Sequence, residues 1–302
     1  MLEEYRVEEF LYMSWLRPEN VVWDSVGSKL IGATLSADQN ILEVGIGNGY
    51  FSFMTLGGKF NKKYDFYYNV NTNGFWENKD IYDCFIYKDI QNQIIKNVDI
   101  KIKYAIDYKI NLLNQVKQLY FAENLICQDA NEKINLSGID TIYSNIIYWL
   151  KHPIEVIKNF ESNLNDGGRV ILVFPNTNFL KYCNSYRRDT RIKRLLNRGR
   201  GESLMWYMDI KDFQQEINSQ TTFKIASYDR YLAPITLKVW DIGLRPISPH
   251  LIKMANSLDK KRRFEIKQEW CETCLMFLKD LLEEELENGP KNGGFNFVIL
   301  EK

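Results

Sequence analysis

Residues 41–50 read ILEVGIGNGY, where three glycines at alternate positions, Gly45, Gly47 and Gly49, follow a short apolar run that carries one acid, Glu43. A strand running into such a turn and then into a helix leaves bare backbone amides beside a helix N-terminus, which suits a ligand that must approach the main chain closely. Many nucleotide-binding folds use this device. The dinucleotide fingerprint needs glycine at its first, third and sixth positions, and the sixth position counted from Gly45 is Tyr50. The third glycine of a nicotinamide binder is missing, so an oxidoreductase of that kind is the poorest fit.

Two more acids close apolar runs downstream, Asp107 in KYAIDYK and Asp129 in LICQDAN. A carboxylate accepts from two vicinal hydroxyls at once, or from an amino group, although each acid also reads as an ordinary helix cap. The succession of Glu43, the Gly-x-Gly-x-Gly turn, Asp107, Asp129, the segment DTIYSNIIYWLKHP and then LNDGGRVILVFPN, with Gly167 and Gly168, resembles the class I S-adenosylmethionine-dependent methyltransferases over most of the chain. The resemblance implies S-adenosyl-L-methionine as the cofactor, held by Glu43, Gly45, Gly47 and Gly49. It implies that Asp107 takes the ribose hydroxyls, that Asp129 and the backbone amide of Ala130 take the adenine, and that Asn145 lies on the cofactor side.

Methyl transfer from a sulfonium is an in-line displacement, so the protein must bring the nucleophile to about 3 Å from the methyl carbon and exclude water. An alcohol acceptor also benefits from a base, and histidine suits neutral pH. His152, in YWLKHP after the fourth strand, is the first candidate, with a loop-organising role as its bland reading, and His250, in RPISPHLIKM, is the second. Asn145 and Tyr148 spell N-x-x-Y, which is similar to the Asn-Pro-Pro-Tyr clamp of amino-methylating nucleic-acid enzymes. Both prolines are absent, so Tyr148 reads as pocket lining beside the catalytic position.

The elements that must position these residues alternate. The runs NILEVG, IKYAIDY, NLICQDA, DTIYSN, GRVILVFP, FKIASYDRYL and FNFVILEK have strand length, and helical patterns such as KINLLNQVKQLY and PIEVIKNFESNL separate them. This is an α/β, Rossmann-like chain with a seven-stranded, mostly parallel sheet. Its last strand, followed by no helix, is expected antiparallel beside residues 223–232. Helices are expected at Glu3–Leu16 and over residues 19–33, where Val22, Val26 and Ile31 form one face. All 302 residues read as one domain with N-terminal helices over 1–36 and three elaborations: an aromatic insertion at 57–100, a basic segment at 176–205 and a helical insertion at 233–290. The last contains an amphipathic stripe of Ile266, Trp270, Cys274, Phe277 and Leu281 and serves as a lid, a surface between two copies of the chain, or both.

The basic run Arg187, Arg188, Arg191, Lys193, Arg194, Arg198 and Arg200 follows the fifth strand, and its arginines suit phosphate because a guanidinium binds two oxygens in one plane. A solvated helix face is the bland alternative. The insertion's Tyr64, Phe66, Tyr67, Tyr68, Phe75, Trp76, Tyr82 and Phe85 suit stacking on sugars or bases, or form a local core. Lys plus Arg and Asp plus Glu both total 39, which argues against a general polyanion binder and leaves a small-molecule or glycan acceptor, phosphorylated through the local basic run. The elaborations resemble those of bacterial methyltransferases of surface-polysaccharide biosynthesis, so O-methylation of a sugar carried on a nucleotide or phosphate is the leading expectation. An RNA or protein methyltransferase and a non-catalytic S-adenosylmethionine-binding partner subunit are the alternatives.

No apolar run approaches the roughly 18 residues of a membrane span, and MLEEYRVEEF is acidic where a signal peptide is basic. A cytoplasmic chain is expected. Five scattered cysteines fit free thiols better than a disulfide framework, and Cys271 and Cys274, a lone CxxC in a helical pattern, read as packing residues, so no metal is assigned.

Overall fold

The computed structural model describes residues 1–72, 87–187, 206–244 and 247–302. Phe75, Trp76, Tyr82, Cys84 and Phe85 lie outside the described residues. So do Arg188, Arg191, Lys193, Arg194, Arg198, Arg200 and the side chain of Arg187.

Along the chain, α1 (Val7–Met13) and α2 (Val21–Gly32) precede β1 (Ile41–Val44), and α3 (Tyr50–Thr55) follows the glycines. A small antiparallel pair, β2 (Lys59–Phe60) and β3 (Ile94–Lys96), brackets the aromatic insertion. Then come β4 (Ile102–Asp107), α4 (Ile110–Lys117), β5 (Ala122–Cys127), β6 (Ile139–Ser144), α5 (Pro153–Glu161), β7 (Leu164–Pro175), α6 (Thr177–Tyr182) and α7 (Asn184–Arg187). The chain continues with α8 (Ile210–Gln220), β8 (Lys224–Tyr231), α9 (Pro234–Ile242), α10 (Ser248–Asn256), α11 (Lys260–Asn292) and β9 (Phe295–Glu301).

The main sheet has seven strands in the order β5-β4-β1-β6-β7-β9-β8. The pairs from β5 to β7 are parallel, and β9 runs antiparallel to both β7 and β8. The terminal strand therefore lies beside residues 223–232 as expected, and it is also the strand that joins β8 to the rest of the sheet. Its FNFVILE run is buried at all but two positions because neighbours flank it on both edges. All four residues of β1 are buried, the continuous apolar pattern of a parallel strand covered on both faces.

Alternate strand residues feed two cores. Leu42, Val44, Ile142, Val170 and Val298 face α5 and α8, while Ile41, Tyr143, Ile171 and Phe297 face α1, α2, α11 and the aromatic insertion. Tyr64, Phe66 and Tyr67 are buried in the second core, the local-core reading of the insertion's aromatics. The chain turns to opposite sides of β1, to β4 and then to β6, so the crevice at the C-terminal ends of these strands is the topological switch point where α/β sheets bind ligands.

Two helices depart from their expected limits. The first spans Val7–Met13 rather than Glu3–Leu16, because Arg6 takes a φ of 55° and its guanidinium reaches the carbonyl oxygens of Met54 and Gly58. In α11 the buried face is Arg263, Lys267, Cys271, Cys274, Leu278, Leu281 and Glu285, and Phe277, expected on the inner stripe, is 45% exposed. The buried charges have specific partners. Arg263 Nε donates to Asp65, and Lys267 Nζ donates to the carbonyl oxygens of Tyr64 at 2.6 Å and Lys62 at 3.1 Å. The helix also runs through Pro290 to Asn292. No helix among the described residues is long and apolar enough to cross a membrane.

Candidate active site

A cavity of about 450 Å³ opens at the C-terminal ends of β1, β4 and β6, and most of the expected cofactor residues line it. Gly45, Gly47, Asp107, Asp129, Ala130, Asn145 and Tyr148 are all in its wall. Glu43 and Gly49 are not.

The three glycines have separate tasks, though all take a positive φ. A Cβ on Gly45 would come within 2.3 Å of Ile146, so its bareness lets the β6 loop cross close to the turn. A Cβ on Gly47 would meet no atom within 4 Å and would project into open space instead, which marks the stretch of main chain a ligand can approach. Gly49 backs onto α4, 3.0 Å from Val116 for an added Cβ.

Asp107 ends β4 and closes the turn. Its Oδ2 accepts from the Gly47 amide and its Oδ1 from the Lys109 amide, both at 2.9 Å. Burial pushes its carboxyl above the usual range while these two bonds pull it down. Asp129 is exposed at the cavity rim, where its Oδ1 accepts from the Asn131 amide at 2.9 Å and side chain at 2.8 Å. Behind the turn, Glu43 accepts from Ser52 Oγ at 2.6 Å, and burial pushes its carboxyl up to about 7 against that bond. Glu43 therefore braces α3 rather than lining the cavity.

Neither histidine reaches the cavity wall. His152 is exposed at the N-terminal cap of α5, and His250 is exposed on α10. Closeness in sequence to the end of β6 does not carry His152 inward, because the turn Ile147–Trp149 and Leu150 intervene and take the lining positions. The base roles expected of His152 and His250 have no geometric support among the described residues. Tyr148 does line the cavity, edge-on to Phe295 with ring centroids 5.6 Å apart. Arg191 and Arg194 lie outside the described residues, as does the Arg187 side chain.

The half of the cavity away from the glycines is aromatic, with Trp23, Phe179, Tyr186, Tyr231, Trp240 and Phe295. Trp23 packs 4.8 Å from both Trp240 and Phe295. One acid stands in this half, Asp24 on α2, whose Oδ2 accepts from Tyr50 Oη at 3.0 Å. Burial pushes the Asp24 carboxyl up to about 7, opposed by the Tyr50 bond and by the charge of Arg17. Arg17 is itself committed to Glu19 and to Asn20 Oδ1. Sequence reasoning followed the apolar face of this helix and passed over Asp24. The signal was present, since Asn20, Asp24 and Gly27 recur at helical spacing along a second face, to which Ile31 also belongs rather than to the face of Val22 and Val26, and all four line the cavity.

No family model matches this chain, and no curated protein matches it. Solved structures resemble it. A mycolic acid cyclopropane synthase complexed with SAH and CTAB is 11% identical, with a TM-score of 0.49 over 99% of this chain and 94% of that one. Coclaurine N-methyltransferase bound to N-methylheliamine and SAH is 11% identical, with a TM-score of 0.49 over 92% and 72%. An S-adenosylmethionine dependent methyltransferase from Mesorhizobium loti is 11% identical, with a TM-score of 0.45 over 89% and 94%. These are likenesses of fold. The sheet they are compared with is the seven-stranded α/β, Rossmann-like one described above, with its last strand antiparallel.

Proposed function

We propose that this protein is an S-adenosylmethionine-dependent methyltransferase acting on a small acceptor held in the aromatic half of the cavity. The observation that carries the reading is Asp107, bonded through Oδ2 to the Gly47 amide at the point where the main chain is bare towards the cavity.

The residues present fit the cofactor. Asp107 uses one hydrogen bond on each oxygen and keeps accepting capacity for two ribose hydroxyls. Asp129 and Ala130 stand at the rim for the adenine, and Gly45, Gly47 and Asn145 border the space between the rim and the aromatic half. The side-chain nitrogen of Asn48, buried in the same turn with no partner among the described residues, is a donor available to a polar ligand. S-adenosylmethionine, when bound, supplies an electrophilic methyl group. The chain's own part is to orient the acceptor, exclude water through its aromatic walls and present the Asp24 carboxyl to it.

A finer reading, O-methylation of a sugar, finds support in these aromatic walls, since sugar faces stack on rings. Its phosphate component rests on Arg187, Arg191 and Arg194. A calorimetric titration with S-adenosylhomocysteine tests the main reading: micromolar binding that is lost in Gly47→Val is expected. A folded protein that does not bind it would remove the assignment.

A further inference from the structure

We propose that the acceptor chamber recognises a cationic amine, with the ammonium on Asp24 Oδ1 and the apolar body of the ligand against the walls formed by Trp23, Tyr231, Trp240 and Phe295. The location of the chamber rests on the methyltransferase reading, but the charge preference follows from the chamber's own residues.

The charges in this half of the cavity are unequal in their availability. Arg17 is spent on Glu19 and Asn20. Lys109 and the other two lining carboxylates, Asp107 and Asp129, belong to the strand ends around the glycine turn. Asp24 has one oxygen satisfied by Tyr50, and Oδ1 accepts no hydrogen bond from the described residues. The groups that act on Asp24 among the described residues are Arg17 from the preceding segment, itself paired with Glu19, Tyr50 from α3 and Tyr231 from β8. None supplies a second donor to it.

Room for a ligand beside this carboxylate is the cavity itself, which Asp24 lines together with Gly27, one helical turn further along α2, and with Phe51 and Tyr231. A Cβ on Gly27 would lie in ordinary contact, 3.8 Å from Phe51 and 3.9 Å from Tyr231, so its absence widens this wall by about one methyl group. A carboxylate among aromatic faces is the chemistry that recognises ammonium. The carboxylate supplies a charge-assisted bond, the rings attract the cation through their faces, and both strengthen where water is excluded. An anionic acceptor would meet the opposite field. Burial raises the affinity of Asp24 for a proton, and an ammonium beside it would favour the ionised form.

The test is calorimetry on the full chain with phenethylamine, a cation at neutral pH, and with 2-phenylethanol, its neutral counterpart of nearly the same shape. Each is titrated with and without saturating S-adenosylhomocysteine. The amine is expected to bind roughly tenfold or more tightly than the alcohol at about pH 8, as a charge-assisted bond warrants. Its affinity should fall roughly tenfold at about pH 6 as Asp24 takes up a proton. Asp24→Asn, which keeps an acceptor for Tyr50, should erase both the preference and the pH dependence. Equal binding of amine and alcohol, absence of amine binding, or a preference that survives Asp24→Asn overturns the proposal. The wild-type comparison decides even where the variant does not fold. Loss of S-adenosylhomocysteine binding with the amine preference intact would instead count against the methyltransferase reading alone.

Discussion

Tyr50 Oη donates to Asp24 Oδ2 at 3.0 Å, and through this bond the first residue of α3, immediately after the glycine turn, is tied to the helix that floors the aromatic half of the cavity. This side-chain contact joins the two halves of the site, so a change at Asp24 is felt on both.

The first consequence concerns stability. Burial pushes the Asp24 carboxyl up to about 7 from its ordinary 3.8, so its proton is held more tightly when folded. The stability from the protonated form is fully present below about 3.8 and is lost as pH rises through about 7, leaving a buried charge above that. Asp24→Asn removes this charge and keeps the acceptor. Relative to wild type, the variant should gain roughly 1–3 kcal/mol between about pH 4 and pH 8 in urea denaturation, most of it before pH 7. Glu43, which is raised in the same way, is common to both proteins and cancels in the difference. A pH-independent difference would mean that Asp24 is not held protonated by burial.

Asp107→Ala should weaken S-adenosylhomocysteine binding by roughly tenfold to a hundredfold, the effect of leaving buried polar groups without a partner. The Gly47 and Lys109 amides lose their acceptor as well, so a lower melting temperature should accompany the change. Glu43→Gln is the contrasting variant. Glu43 does not line the cavity and among the described residues bonds only Ser52, so affinity should stay within a few-fold of wild type. Equal losses in both variants would place the ligand elsewhere in the crevice.

The sheet was legible because parallel strands buried on both faces read as apolar runs, and Gly45, Gly47 and Asp107 were legible because they stand at the strand ends that those runs mark. The residues that escaped act through tertiary contacts. Asp24 matters because Tyr50 and Tyr231 converge on it from other elements. The inner face of α11 was misphased because Arg263, Lys267 and Glu285 are buried against partners that hydropathy does not record. Glu285, for one, accepts at 2.6 Å from each of the Leu232 and Ala233 amides and Thr236 Oγ1. The odd pair Cys271 and Cys274 read correctly as packing, since both thiols are buried on that face.

His152 caps α5 without any hydrogen bond from its side chain, although the position favours Asp, Ser or Asn. His152→Asp should therefore stabilise the protein by about 1 kcal/mol, through a capping bond and a favourable charge at the helix N-terminus. Thermal denaturation near neutral pH measures this, and S-adenosylhomocysteine affinity should not change, because the side chain is exposed outside the cavity wall. A loss of affinity or stability would restore His152 to the site.

The second buried charge with a testable sign is Lys267. Burial lowers its ammonium to about 8 from 10.5, while the charge of Asp65 works in the other direction. Between those values the unfolded chain binds the proton that the folded protein has shed, so this residue makes stability rise with pH. Lys267→Met, similar in length and unable to titrate, removes the rise. The wild type should gain about 1.4 kcal/mol on the variant between about pH 7 and pH 9, which corresponds to one proton over one pH unit. The Cys271 and Cys274 thiols, pushed up to about 12 and 11 by burial, act oppositely above pH 9 and are retained in both proteins. Urea midpoints of the reduced proteins at the two pH values measure the difference. A gap that stays constant or narrows would mean that Lys267 keeps its proton through its bonds to Tyr64 and Lys62, and that α11 is anchored by an ammonium ion over the whole range.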